Sequence, residues 1–195
     1  MSLTIENIEY RQATREDIDD VLELHYRYQV DSIHEDDKKD GFITTAFNSD
    51  QLGELIEQEQ GLFIARQDAK LVAYAMAASW GFWSKWPMFQ HMIRDLNKLE
   101  YRTYKLSVKN SYQYGPVCVD KNVRGQGVFE SIFTYARRAM QGRYPVLVTF
   151  VNKINPRSFA AHTRKAGLDV IQEFEYNNNF YYELACLTAD STEQK

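Results

Sequence analysis

Apolar residues recur at helical spacing in the first third of the chain. Ile18, Val21, Leu22, Leu24 and His25 follow Thr14-Arg15-Glu16-Asp17, a helix start with a threonine cap and acids in the first turn. The spacing predicts a helix running to Tyr28 or Val30. Leu52, Leu55 and Ile56 predict a second, capped by Asn48 or Ser49 and ending near Gly61. Between them, the charged residues 31–40 read as a solvated loop, with His34 as a surface side chain rather than a metal ligand. Shorter apolar runs at 8–11, 62–66 and 71–79 read as strands, the last two forming a hairpin around residues 67–70.

The middle of the chain breaks this rhythm. Residues 80–111 hold Trp80, Phe82, Trp83, Trp86, Phe89, Tyr101 and Tyr104, and Met88, Met92, Ile93, Leu96 and Leu99 repeat at helical spacing behind Pro87. Such a stripe either extends the core or forms a lid, a pocket wall or a homodimer contact, and substrate choice is expected here. Residues 105–108 and 112–119 read as strands, with Pro116 calling for a bulge or an opened edge in the second. A helix over 130–140 should turn Ile132, Phe133, Ala136 and Ala139 inward and end near Arg137, Arg138 and Arg143. The unbroken run 146–151 has the composition of a central strand buried on both faces. Asn155 and Pro156 open another helix that closes at Gly167, and residues 170–176 and 181–187 form a hairpin around Asn177-Asn178-Asn179. Residues 189–195 read as a frayed polar tail.

Composition narrows the class. The 195 residues, 44% of them hydrophobic, suit a single globular domain. A net charge of −4 argues against nucleic acid as the main partner. No apolar run reaches the length of a membrane span, and residues 1–14 carry no signal-peptide core, so a cytoplasmic protein is expected. Cys118 and Cys186 sit in apolar strand-like runs and read as buried thiols; neither a disulfide nor a metal site is expected. Cys118 has no base in its surroundings that would make it a nucleophile.

The chemistry concentrates at Val117-Cys118-Val119-Asp120-Lys121-Asn122-Val123-Arg124-Gly125-Gln126-Gly127-Val128-Phe129. This is a strand, a polar turn with two glycines, and a helix start, the arrangement that cradles a phosphate. No Gly-Lys-Ser/Thr follows, so it is not a P-loop, and the third glycine of a dinucleotide fingerprint is missing. The stretch resembles motif A of the GNAT superfamily of N-acetyltransferases, Arg/Gln-x-x-Gly-x-Gly/Ala, through Val119, Arg124, Gly125 and Gly127; Phe129 stands where the final Gly or Ala belongs. Asn155, Ser158, His162 and Gly167-Leu168 resemble that family's motif B, with one residue more than usual between His162 and Gly167.

The resemblance runs nearly the length of the chain, with residues 80–111 as an insertion. It implies one α/β domain over residues 1–195, with a mixed, mostly antiparallel sheet, a splayed parallel strand pair and helices on both faces. It implies acetyl-CoA as co-substrate: backbone N–H groups of Val117, Cys118 and Val119 on the pantetheine and thioester, those of Arg124, Gly125, Gln126, Gly127, Val128, Phe129 and Glu130 on the pyrophosphate. Asn155 would bond the pantetheine or a water, with Ser158 at the cofactor's edge. His162 stands where many members carry a tyrosine and is the candidate acid, with Tyr114 and Tyr112 next. Residues 111–116 contain no carboxylate, so deprotonation of the amine would fall to water, a tyrosine or His162. Asp120 serves the turn, and His25 and His91 are core or pocket-wall residues. Two functions follow: an N-acetyltransferase acting on a small-molecule or peptide amine, or a non-catalytic acyl-CoA-binding or interaction module on the same fold.

Overall fold

Nine strands and six helices account for residues 7–189, which the structure, a computed structural model, describes. Residues 1–6 and 190–195, and with them part of the polar leader and most of the tail read from the sequence, lie outside this span. Seven strands form one mixed sheet in the order β1-β2-β3-β6-β7-β9-β8, numbered along the chain. The chain divides into two compact units. The first takes residues up to Met76 together with Pro116–Ala136; the second takes Ala77–Gly115 and the residues from Arg137 onward.

In the first unit, β1 (Ile8–Gln12) leads to a 3-10 turn at Arg15–Asp17 and α1 (Ile18–Tyr28). The turn is held by Asp17, whose Oδ2 accepts the backbone N–H of Thr14 at 2.8 Å and whose carboxylate also takes Arg11 and Arg66. Burial alone would raise the Asp17 pKa; these bonds hold it well below the carboxylate range instead. Residues 31–40 are more ordered than the expected loop: Glu35–Asp40 wind into a 3-10 helix, and Gln29 and Ile43 form a bridge before it closes. His34 is exposed there and N-caps the helix, its Nδ1 accepting from Asp36 N.

Asn48 caps α2 (Ser49–Glu54), exchanging side-chain bonds with Gln51, and a π turn at Leu55–Glu59 carries the helix to its end. Then β2 (Leu62–Gln67) and the start of β3 (Lys70–Ala78) form the expected hairpin, with only Asp68 and Ala69 between them.

The second unit contains the insertion. Trp80–Trp83 (α3) and Pro87–Leu96 (α4) are helices, with proline in the first turn of α4 as its sequence predicts. A two-residue pair, β4 (Glu100–Tyr101) and β5 (Tyr104–Lys105), follows. The strand expected over 105–108 stops at Lys105. Ser107–Asn110 form a turn instead, because Asn110 Oδ1 accepts Ser107 N at 2.8 Å and Ser107 Oγ accepts Lys109 N. The aromatic stripe is core: Trp80, Phe82, Trp83, Phe89, Met92 and Leu96 are all buried. Trp80 Nε1 donates to Ser111 Oγ at 3.0 Å and Trp83 Nε1 to the Gln113 carbonyl at 3.2 Å, so both indoles are satisfied where they are buried.

Strand β6 (Ser111–Val119) and helix α5 (Val128–Met140) pass through both units. On α5, Ile132, Phe133 and Ala136 are buried, whereas Ala139 is exposed and Met140 takes the inward position at the next turn. Strand β7 (Val146–Asn152) is the expected central strand, parallel to β6 on one side and antiparallel to β9 (Asn179–Leu187) on the other. Between them, α6 (Pro156–Ala160) is capped by Asn155 and extended by a π turn at Ala161–Lys165. That turn absorbs the extra residue noted between His162 and Gly167: Ala166 N bonds back five residues to Ala161 O. β8 (Asp169–Tyr176) and β9 close on a two-residue turn, Asn177-Asn178, both at positive φ; Asn179 belongs to the strand.

Candidate functional site

The glycine turn lies in the first unit. After β6, Asp120 begins a 3-10 turn (Lys121–Val123), its Oδ1 accepting Asn122 N at 2.9 Å and its Oδ2 taking Arg27 at 2.6 Å. Asp120 is thus buried structural support, as its position in the sequence suggests. Two further bonds fix the turn. Lys121 N donates to Tyr28 Oη at 2.9 Å, and Arg124 Nε donates to Val119 O at 2.9 Å while its guanidinium lies 4.9 Å above the Tyr28 ring.

Beyond this buttress the backbone turns outward. Gly125 and Gly127 adopt φ of +77° and +82°, and a Cβ at either would meet nothing within 4 Å. Glycine is therefore required by conformation, and the surface it leaves is open. The backbone N–H groups of Gly125, Gln126, Gly127 and Val128 follow one another through this turn. They lie at the N-terminus of the 13-residue α5, where the helix dipole favours an anion. Phe129 is half-buried, its ring stacked along the helix against Phe133 at 6.4 Å. Cys118 is buried and its thiol pushed up to about 12 by burial, which removes it as a nucleophile.

Also in the first unit, His25 is fully buried, with Nδ1 2.7 Å from the Tyr74 hydroxyl and Nε2 without an ordinary hydrogen bond. Burial lowers its pKa to about 4, so it is a neutral core histidine.

In the second unit, the parallel ladder between β6 and β7 is short. Ser111, Tyr112 and Gln113 pair with Val146, Leu147 and Val148, and the ladder stops there. Gly115 follows at φ +104°, a conformation that again calls for glycine. The polar groups at the opening are bound by side chains: Tyr114 O accepts Thr149 Oγ1 at 2.7 Å and Gln113 Nε2 at 2.6 Å. The expected splay of the parallel pair is therefore present.

Of the candidate proton-transfer residues, Tyr114 and His162 are brought together, their rings 6.4 Å apart and edge-on. Tyr112 is not with them. It lies under the closed part of the ladder, its ring 5.7 Å from Tyr144. Burial raises the pKa of both tyrosines, so both phenols keep their protons. His162 is buried, with Nδ1 2.8 Å from the Ser158 carbonyl; since a carbonyl only accepts, the proton of the neutral ring is on Nδ1 and Nε2 carries none. Burial lowers its pKa as well, which keeps the ring neutral. Asn155 spends its Oδ1 on Ser158 N at 3.1 Å, and Ser158 Oγ is 3.3 Å from His162 Nδ1.

One group escaped the sequence reading. Glu183 on β9 has no exposed surface. Its Oε2 accepts Gln172 Nε2 at 2.6 Å, and Oε1 has no hydrogen-bond partner. Burial raises its pKa to about 7. The available signal was a lone acid inside the apolar run Leu184-Ala185-Cys186 and its flanking tyrosines.

No protein-family model matches the sequence, and no curated protein matches it either. Solved structures do match the fold. A GNAT-family acetyltransferase from Streptococcus pneumoniae superposes with a TM-score of 0.62 at 12% identity, over 93% of this chain and 99% of that one. The protein yncA of Salmonella typhimurium, solved with its cofactor acetyl-CoA, gives 0.62 at 12% identity over 95% and 96%. The ribosomal-protein-S18-alanine N-acetyltransferase of Escherichia coli gives 0.60 at 11% over 97% and 99%. At these identities the likeness is one of fold: the chain has the mixed α/β fold of GNAT N-acetyltransferases.

Proposed function

We propose that this chain is an N-acetyltransferase that moves the acetyl group of acetyl-CoA to an amine by direct attack on the thioester. The observation that carries the reading is the turn at Gly125 and Gly127: two positive-φ glycines opening onto free space at the start of a 13-residue helix. A fold shared with a protein solved with acetyl-CoA supports it.

The N–H groups from Arg124 to Glu130 would hold the pyrophosphate, and the ring of Phe129, laid against Phe133, need not obstruct them. The N–H groups of Val117, Cys118 and Val119 would bind the pantetheine and polarise the thioester carbonyl. Asn155, with Oδ1 engaged as a cap, would offer Nδ2 to the same arm, and Ser158 would lie at its edge. Tyr114 is the better proton donor to the departing sulfur, because its phenol holds its proton. His162, its ring edge-on to that of Tyr114 and its Nε2 unprotonated, serves as the acceptor of the pair. Tyr112, under the closed ladder, contributes packing.

The acceptor is a small-molecule or peptide amine, and the chemistry needs no metal. The buried thiols of Cys118 and Cys186 are consistent with a reducing, cytoplasmic setting.

Calorimetric titration with acetyl-CoA tests the reading, with Gly127→Trp as control. Saturable binding that the variant loses, followed by amine-dependent release of CoA thiol in an acceptor panel, is the expected result. A folded protein that ignores millimolar acetyl-CoA overturns it. Binding without thiol release for any amine would favour the non-catalytic acyl-CoA-binding module.

A further inference from the structure

Glu183 is a buried carboxyl group with one oxygen unaccounted for. A carboxylate removed from water normally finds a cation or several donors. Here, among the described residues, the carboxylate takes one bond, from the amide Gln172 Nε2, and Oε1 has no hydrogen-bond partner. Such an arrangement costs stability with no structural return, which is the pattern of a functional group.

Its surroundings narrow the function. Glu183 pairs across the ladder with Phe150, so their side chains share one face of the sheet. On that face rings follow one another in contact: Phe89 to Phe150 at 5.7 Å, Phe150 to Tyr181 at 5.7 Å, Tyr181 to Phe174 at 5.2 Å. A carboxylate set among aromatic faces suits an ammonium group carrying an apolar or aromatic substituent, through charge pairing and cation–π attraction. Phe150 is half-buried rather than sealed, so this edge of the cluster reaches solvent. Phe150 also lies on the part of β7 that has no β6 partner, two residues past the last ladder pair, Gln113 with Val148. Glu183 is one strand step from that opening, about 5 Å.

We infer that Glu183 is the acceptor-side base of the transfer, receiving the proton of a cationic, apolar or aromatic amine bound against the Phe150 edge. This deepens the acetyltransferase reading and rests on it. The Glu183 carboxylate takes one proton from the ammonium and becomes a carboxylic acid. The freed nitrogen pair forms the C–N bond to the acyl carbon as the C–S bond breaks, and the sulfur leaves with the bonding pair. Tyr114 gives its phenol proton to that sulfur, forming the CoA thiol; the proton still carried by the new amide nitrogen passes to His162 Nε2 and on to the Tyr114 oxygen, and Glu183 later returns its proton to water.

The other titratable groups on this side are few. Tyr181 lies on the same strand, β8 contributes Tyr176, and α4 contributes His91, whose ring lies 5.9 Å from that of Phe174 and 5.5 Å from that of Tyr176, and Asp95, which is paired with Lys98 at 2.6 Å. Asp95 acts with burial to hold the Glu183 pKa up, near neutrality, where a base is both ionised and strong enough to work.

The test uses the whole chain and its Glu183→Gln variant. For the active enzyme, kcat/KM should rise through an acidic limb near pH 7. Glu183→Gln should abolish that limb and lower kcat at least about 100-fold, with the Kd for acetyl-CoA unchanged within about twofold. Gln172→Leu, which removes the amide donor to the carboxylate, should keep the plateau and move the limb to higher pH, a displacement that a packing role would not cause. Independently of turnover, a carbon-13 carboxyl signal that disappears in Glu183→Gln should shift when tyramine is added as the probe amine. An unaltered pH profile in Glu183→Gln, or no tyramine-dependent shift of that signal, overturns the assignment. If acetyl-CoA fails to bind or no amine is acetylated, the acetyltransferase reading fails by itself, and the carboxyl signal still decides whether Glu183 faces an amine.

Discussion

The hydroxyl of Tyr28 accepts the backbone N–H of Lys121 at 2.9 Å, joining the last residue of α1 to the turn that precedes Gly125. The same ring lies under the Arg124 guanidinium, so one side chain holds the turn by its edge and its face. Tyr28→Phe keeps the ring and removes the oxygen. It is expected to lower stability by about 1 kcal/mol and to weaken acetyl-CoA binding several-fold, checked by urea unfolding and calorimetry on one preparation.

Gly127→Ala separates conformation from contact. The added methyl meets nothing within 4 Å, but φ at +82° disfavours any residue with a Cβ. A stability loss of about 1 kcal/mol is expected. The loss of acetyl-CoA affinity should be larger, since the methyl projects from the surface that would face the pyrophosphate. Equal small effects on stability and binding would remove the turn from the binding site.

Trp83 tests the insertion. Its indole is fully buried and donates to Gln113 O at 3.2 Å. Trp83→Ala should cost about 3 to 5 kcal/mol. Trp83→Phe should cost less, yet leave the Gln113 carbonyl without its donor at the end of the β6–β7 ladder. Thermal unfolding should rank the three proteins in that order.

Two buried groups give stability opposite pH dependences. The folded pKa of His25, about 4, lies below its ordinary 6.5, so its contribution is intact above pH 6.5 and is lost as pH falls through 4. The folded pKa of Glu183, about 7, lies above its ordinary 4.5, so the fold is favoured by its protonated form at low pH and loses stability as pH rises from 4.5 through 7. Glu183→Gln should therefore stabilise the protein at pH 8, by up to about 3 kcal/mol, and the gain should disappear below pH 4.5. Urea midpoints measured from pH 4 to 8 in both proteins give both slopes.

Local signals account for what the chain disclosed in advance. Gly125 and Gly127 declare positive φ, Asn155-Pro156 declares a helix start, and alternating apolar runs declare hairpins; each needs only neighbours in sequence. What stayed hidden depends on distant partners. Tyr28 and Arg27 support a turn 93 residues away, and nothing in the helix pattern marks them for it. The burial of Trp83 became visible only with Gln113 beside it. Glu183 went unmarked because its environment comes from the cross-strand residue Phe150 and from Gln172. Residues 107–110 departed from strand because short side chains there bond their own backbone, a competition that apolar periodicity does not register.

The π turn at Ala161–Lys165 has a geometric consequence. One residue of α-helix is a rotation of about 100°, so the turn acts as a phase shifter between Asn155 and Gly167. The cap and the helix end can each keep their own alignment while the segment between them carries one residue too many. Deleting Thr163 would let the backbone close into regular helix with its ends in place. The cost would fall on angular position, since the residues of the turn could no longer face the directions they do now. A protein able to lose that residue and stay folded could lose the contact between His162 and Tyr114 without losing either side chain.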